Sequence, residues 1–520
     1  MATKDLVKKY RNKFAGGINS YLGARQIKDE ESPEMINCDF KGKGGIGNRQ
    51  GYTQIGAADA DYNDGVYGMT TLHTSTLHHL MRFVQKGTTD IEMEYWDGSS
   101  WTLVAHAFTK DLAIDGCQAA SAVYIGNGTD AMHHWDGSTW TETTNGTKGF
   151  APTYYNQRLW VIDETNPDRI NFSGQYSEQL LTGGSLVNKL GDFADATAGW
   201  ISFKFGSGAE VTGLKVFKDS LYVFLRDSIY KINPATTANT FTITQITSSV
   251  GCVSHRSITQ VEEDLYFAAD DGVYALGEVA NYVSVRTTNK SSKIQDVFNG
   301  LSATQKSKVV GVYFNFKYHL FYSLFGVIND SCVAYDIRYQ GWVDWRNMPA
   351  NSAVLFVDST NDKQMYFGHP TNSKVYKMYV GSTDDNIAIS TTYYTKSFDE
   401  EQPDITKIYF DHTFIFGQMN GDVNISVVFD DSMVTATKSL NQTRPQGGYG
   451  RDVFGRMAYG DATNTVTVTN YVGIPLRMTV SQPKFAVQYK ITSDGAWRLD
   501  GITTTFKPLP HPAFPAEYTI

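Results

Sequence analysis

The residues able to do chemistry set the first questions. Gly42-Lys43-Gly44-Gly45-Ile46-Gly47 matches the glycine pattern of a dinucleotide loop. Such a loop cradles a pyrophosphate only where it joins a strand to a helix in a βαβ unit. Here Asn48-Arg49-Gln50-Gly51-Tyr52 follows, which reads as turn and strand. A glycine-rich turn is expected, and no cofactor. Asp59, Asp61, Asn63 and Asp64 open like a calcium loop. The sixth position is Asp64 where Gly is needed, and the twelfth is Thr70 where Glu is needed, so a solvated acidic loop at 59–64 is expected. His73, His78 and His79 lie close together. On one strand His73 and His79 share a face and His78 points away, which suits partly exposed strand histidines better than a metal site. No metal ligand is assigned.

Glycoside hydrolysis is the enzyme alternative, and it needs two placed carboxylates. Glu262-Glu263, Asp270-Asp271 and Asp384-Asp385 are adjacent pairs. Neighbours on a strand face opposite ways, so turn roles are expected for most of them. The sialidase turn S-x-D-x-G-x-x-W separates Asp from Gly, whereas Asp97-Gly98-Ser99-Ser100-Trp101 does not. No GxSxG elbow occurs. Cys38, Cys117, Cys252 and Cys332 have no CxxC spacing and read as free thiols. No catalytic residue is assigned, and the expectation is a structural and binding protein.

The elements that must carry these residues are strands. The 520 residues exceed one ordinary core, and 31 Tyr, 29 Phe and 46 Gly suit pleated surfaces joined by tight turns. An aromatic strand, a polar turn and a second strand recur. Clear copies are Leu221-Tyr222-Val223-Phe224 with Ile229-Tyr230-Lys231-Ile232, Leu265-Tyr266-Phe267 with Val273-Tyr274-Ala275-Leu276, and Met365-Tyr366-Phe367 with Val375-Tyr376-Lys377-Met378. Anchors at Phe83, Tyr124, Trp160, Tyr222, Tyr266, Tyr322 and Tyr366 are 41, 36, 62, 44, 56 and 44 residues apart. This is blade spacing, and the fold expected is all-β: a six- or seven-bladed β-propeller, then a β-sandwich-like domain.

Asp97-Gly98 and Asp136-Gly137 sit between tryptophans in nearly identical segments and signal tight hairpins. The long spacing after Trp160 marks an insertion near 174–206. Residues 1–55 are expected to be an extension with first strands that complete the propeller, residues 56–384 the propeller, and 385–506 the sandwich. Strands there are expected at Ile389–Thr395, Ile405–Phe416, Val423–Phe429, Thr465–Thr469, Leu476–Val480, Phe485–Ile491 and Trp497–Phe506. Residues 507–520 form a proline-rich extended tail. Helix is expected only at Lys4–Lys13 and around Ser302–Lys308.

The net charge of −9 argues against a whole-chain grip on nucleic acid, but a local basic patch survives that argument. No apolar run reaches the length of a membrane span.

Three groups of segments resemble the β-propeller proteins of tailed-bacteriophage tails and necks. The first is Phe14-Ala15-Gly16-Gly17-Ile18-Asn19-Ser20, then Glu30 to Phe40, then Asn48-Arg49-Gln50-Gly51-Tyr52. The second is Val333-Ala334-Tyr335-Asp336, Gly341-Trp342, Met365-Tyr366-Phe367-Gly368 and Lys374-Val375-Tyr376-Lys377. The third is Tyr394 to Phe398 and Ile405 to Phe410. The family includes tail nozzles and packaged-DNA stabilisation proteins. The resemblance implies a virion protein of the tail or neck. It would form a homo-oligomeric ring, a hexamer in many relatives, that retains the genome and gates its release. The implied partners are further copies of the chain, a tail adaptor or portal-side ring, tail fibres or tip proteins, and genomic DNA passing without sequence-specific contacts. A tail-tip or baseplate propeller that binds a host receptor is the alternative.

Overall fold

The computed structural model of the chain describes residues 6–57, 65–86, 90–143, 147–180, 186–203, 210–234, 240–278, 285–420, 422–430, 433–440, 472–477 and 483–509. The chain divides into two compact units. One comprises residues 52–334 and 346–380, the other residues 1–51, 335–345 and 381–520.

The first unit is built from antiparallel sheets. Its first sheet contains Val66–His73, His78–Lys86, Asp90–Trp96 and Trp101–Thr109. Four more four-stranded sheets begin at Asp115–Ala119, Phe150–Tyr155, Val211–Phe217 and Thr259–Val261. A sixth contributes Val310–Phe314, Lys317–Tyr322 and Ser331–Asp336. The seventh contains Ser352–Val357, Lys363–Gly368 and Val375–Met378, completed by Tyr52–Ile55 from the other end of the unit.

The first strands of these sheets touch in sequence around a centre. Val66–His73 meets Asp115–Ala119, then come Phe150–Tyr155 and Val211–Phe217. His255–Ser257 and Thr259–Val261 lead on to Val310–Phe314, which meets Ser352–Val357, which returns to Val66–His73. The ring is closed, so this unit is a β-propeller, and among the described residues it has seven blades.

The physical reason for closure is visible between blades. Leu72, Phe83 and Met93 of the first blade share a buried cluster with Val123 and Trp135 of the second. Trp160 and Phe172 pack on Leu221 and Val223. Val375 and Tyr366 of the seventh pack on Val66 and Leu80 of the first. Full burial of each such side chain is worth about 1.5–3 kcal/mol, and no blade covers both faces alone. Second strands are therefore buried on both faces: all six residues of Ser220–Leu225 are buried.

The hairpin turns obey a chemistry the dipeptides hid. Trp96 pairs with Trp101, so Asp97-Gly98-Ser99-Ser100 is a four-residue loop and not a two-residue turn. Asp97 Oδ1 accepts the Ser99 and Ser100 amides, both at 2.7 Å, and Asp136 does the same for Ser138 and Thr139. These bonds, the Ser100 amide first, hold the Asp97 carboxyl below the usual carboxylate range. The tight turns lie elsewhere. Asn156-Gln157, Lys218-Asp219 and Asn315-Phe316 each place two successive residues at positive φ.

The second unit is a sandwich of two sheets. One contains Val472–Arg477, Lys407–Asn420, Ala496–Pro508, Gly45–Asn48 and Cys38–Lys41, with Val7–Arg11 also paired to Ala496–Pro508. The other contains Met35–Ile36, Thr391–Tyr394, Val487–Ser493, Val423–Phe429 and Met433–Leu440. Their facing sides join through Tyr409 against Phe429, ring centroids 5.4 Å apart, and Phe414 against Tyr489 at 5.3 Å. The helix expected at Lys4–Lys13 is a correction: Val7–Arg11 is a strand. Its register with Ile502–Phe506 supplies bonds that a short isolated helix lacks. The other expected helix forms over Ala303–Ser307, with Ser302 and Gln305 making a capping box. The strand expected at Thr465–Thr469, the acidic loop 59–64 and the tail beyond residue 509 lie outside the described residues.

Candidate functional site

The channel of the propeller gathers residue types that no sequence motif united. The short turn His255–Ser257 ahead of the fifth blade aims Arg256 across the centre. Its Nε donates to Asp115 Oδ1 at 2.9 Å. Its Nη2 donates to the carbonyls of Tyr67 and Ile114 at 2.7 and 2.9 Å, and its Nη1 to Asn351 at 3.2 Å. One guanidinium thus ties the entries of the second, fifth and seventh blades to the first. The backbones close in tightly here: a side chain at Gly68 would collide with the Ile114 carbonyl, and one at Gly213 with Ile258.

Cys117, Lys215 and His255 lie in the same region. Burial pushes the Cys117 thiol up, opposed by the Tyr154 amide and by Lys215. Burial lowers Lys215, opposed by Cys117 and Asp115. Burial also brings His255 down to about 4, with Asp115 opposing and Lys215 and Arg256 reinforcing. A nucleophile needs a base within hydrogen-bond reach. His255 Nδ1 instead takes the Leu214 amide at 3.3 Å, and the Cys117 thiol donates to the Gln118 carbonyl at 3.4 Å. The cluster therefore works as a charge-compensated tie. Sequence reasoning missed it because Arg256 is a lone basic residue with no local pattern.

The motifs singled out from sequence scatter. Gly42–Gly44 is one 3-10 turn and Gly45–Asn48 a strand, so no helix follows the glycines. His73 and His78 are cross-strand partners with rings 4.1 Å apart, because residues 74–77 turn the chain; the single-strand geometry expected for the three histidines is corrected. His79 packs on Tyr95 and Trp135. Among the described residues no cluster of His, Cys, Asp and Glu is arranged to hold a metal ion. Asp270 pairs with Arg226 at 3.0 Å, and Asp271 accepts from Tyr274 at 2.8 Å.

Asp384 departs from a turn role. It receives both arms of the buried Arg49, at 2.8 and 2.5 Å, while Arg49 Nε donates to Asn37 at 3.0 Å. This hub lies inside the sandwich unit and explains why Asn37 and Arg49 occur together. A second polar chain crosses the same core. His412 Nδ1 meets Tyr489 Oη at 2.7 Å, Tyr489 meets Thr504 at 2.6 Å, and Arg11 reaches both Thr504 and Glu400.

One surface of the propeller is unusual. Between Lys317–Tyr322 and Ser331–Asp336 the chain runs Leu324-Phe325-Gly326-Val327-Ile328, with Phe325 77% exposed, Val327 52% and Ile328 43%. The base of this loop is firmly held. Asp330 accepts the Leu324 amide at 2.8 Å, and Asn329 donates to Lys308 and Ala350 carbonyls at 2.8 and 3.1 Å. A run of exposed apolar residues on a fixed base is a docking feature in form. The expected insertion holds a hairpin, Tyr176–Leu180 with Leu186–Asn188, followed by Gly199–Ser202, the fourth strand of the third blade.

No family model and no curated protein matches the sequence. Solved structures match at low identity. YCF48 bound to D1 peptide is 11% identical over 66% of this chain and 98% of that one, with a TM-score of 0.38. The N-terminal domain of Nup159 is 9% identical over 66% and 98%, TM-score 0.39. The Pan2 WD40 domain of Neurospora crassa is 10% identical over 64% and 96%, TM-score 0.34.

Proposed function

We propose that this chain is a structural protein of a tailed-bacteriophage particle. It is one subunit of a ring, a tail nozzle or stopper, that retains packaged DNA and gates its release. The observation that carries the reading is a closed propeller with a self-compensated channel and an exposed apolar loop on a hydrogen-bonded base. Such a body is built to hold a position and to be held by a partner. The ordered family-like segments support its place in the virion, and the hub of Asn37, Arg49 and Asp384 gives two of them a shared structural reason. The partners are neighbouring copies, six in the simplest ring, and an adaptor ring that receives the Phe325 loop. DNA passes along the ring axis without sequence-specific contacts.

A receptor-binding tail-tip propeller is the second reading. It is favoured by Trp200 on the third blade, which is 57% exposed with the Arg169 guanidinium stacked over its ring at 4.3 Å, an aromatic group of the kind that stacks on sugars.

The loop decides between them. Replacing Phe325 and Val327 by Ser removes exposed groups and leaves the fold unchanged, so Tm stays within about 2 °C. The expected result is failure of the double variant to enter particles in a complementation assay. Normal incorporation, with adsorption lost on Trp200→Ala, moves the assignment to the tail tip.

A further inference from the structure

The glycine motif and the basic N-terminus, which the proposed function leaves unused, meet on one face of the sandwich unit. Lys43 sits between Gly42 and Gly44 with φ 66 and ψ 23, a left-handed conformation that glycine adopts freely and lysine does not. The Phe14 amide donates to Gly44 at 2.8 Å, which brings Lys13 beside this turn. On Val7–Arg11 the side chains alternate. Lys9 and Arg11 turn to Glu400 and Glu401. Lys8 and Tyr10 take the opposite face, where Tyr10 is 56% exposed. Tyr10, Asn12, Lys43, Ile415 and Asp500 line one open groove. The carboxylate among them is already neutralised, since Arg498 donates to Asp500 at 2.7 and 2.9 Å. Lys8, Lys13 and Lys43 are all exposed, and among the described residues none has an ion-pair partner.

We propose that this face is a phosphate-backbone contact for double-stranded DNA. Lys8, Lys13 and Lys43 serve as point charges, and Tyr10 as a flat neighbour. Three uncompensated lysines on a chain of net charge −9 form a local exception, and complementarity selects a polyanion. Lysine on an edge strand also discourages strand pairing, but that explains Lys8 alone. Lys43 is on a turn, and discouraging pairing needs no left-handed lysine there. The contact carries no base-reading group, so it is independent of sequence. The choice of DNA among polyanions rests on the proposed function, whereas the exposed charge and the left-handed turn do not, so loss of duplex binding and absence from particles are separate outcomes.

The test uses the full chain and a labelled 30-base-pair duplex, read by fluorescence anisotropy between 50 and 300 mM salt. Wild type should bind weakly, with the same affinity for unrelated sequences. The slope of log K against log salt should shrink by about 0.9 for each lysine removed. Lys43→Gly is the telling variant: it should raise Tm while weakening binding, because the same residue carries strain and contact. Lys8→Glu with Lys43→Glu should abolish binding with Tm unchanged. No binding by wild type at 50 mM salt overturns the proposal. So does an unchanged slope in the variants, or preference for poly-glutamate over the duplex, which would assign the face to an acidic protein.

Discussion

A guanidinium that donates to three carbonyls and one carboxylate has no neutral substitute. Arg256→Ala strands Asp115, whose Oδ2 already has no hydrogen-bond partner, and frees three backbone acceptors in the channel. The expected cost is about 3 kcal/mol or more, seen as a lower urea midpoint. Arg256→Lys should recover little, since an ammonium cannot span the same four acceptors. His412 gives the pH behaviour. Burial, with Arg11 adding to it, holds this histidine down to about 4, against 6.5 ordinarily. Between those values the unfolded chain binds the extra proton. Stability is therefore fully present above pH 6.5 and is lost as pH falls towards 4, on the order of 3 kcal/mol for this group. The gap between urea midpoints at pH 7 and 4.5 should narrow in His412→Gln without closing, because His255 and His369 are held down to about 4 by burial as well. Neither residue could be read in advance. Arg256 acts through partners 141 to 189 residues away in sequence, apart from Asn351, and His412 through Tyr489.

At the scale of elements, the strand Tyr52–Ile55 closes the ring by pairing with Val375–Met378. Tyr52 packs on Phe367 and Tyr376 at 5.1 and 4.8 Å and donates to the Asn347 carbonyl at 3.1 Å. Tyr52→Ala should cost about 3–5 kcal/mol, and amide exchange should rise first at Val375–Met378. Unchanged exchange there would mean that the ring does not depend on this clasp. The second strand Ser220–Leu225 was legible because burial on both faces makes Leu221 to Leu225 a continuous apolar run. First strands were not. Asp115–Ala119 faces the channel and reads Asp-Gly-Cys-Gln-Ala, with no strand periodicity. The true tight turns were also hidden, since Asn156-Gln157 and Lys218-Asp219 contain no glycine. Val7–Arg11 misled because its partners, Ile502–Phe506, lie at the far end of the chain.

At the scale of the whole molecule, the all-β class and the blade repeat were readable because a propeller repeats one burial problem along the chain. The uneven spacings left the count between six and seven, and the ring of touching first strands makes it seven among the described residues. Which surfaces act was less legible, because exposure depends on what packs nearby. Leu324 to Ile328 reads as any apolar strand, yet Phe325, Val327 and Ile328 stand in solvent. The virion assignment is tested most directly by locating the chain in purified particles, with a tag read out in a low-resolution density map. The expected result is a ring of propellers around the tail axis, on the side of the adaptor. Absence of the chain from intact particles, or its presence only at a fibre tip, would contradict the proposed function.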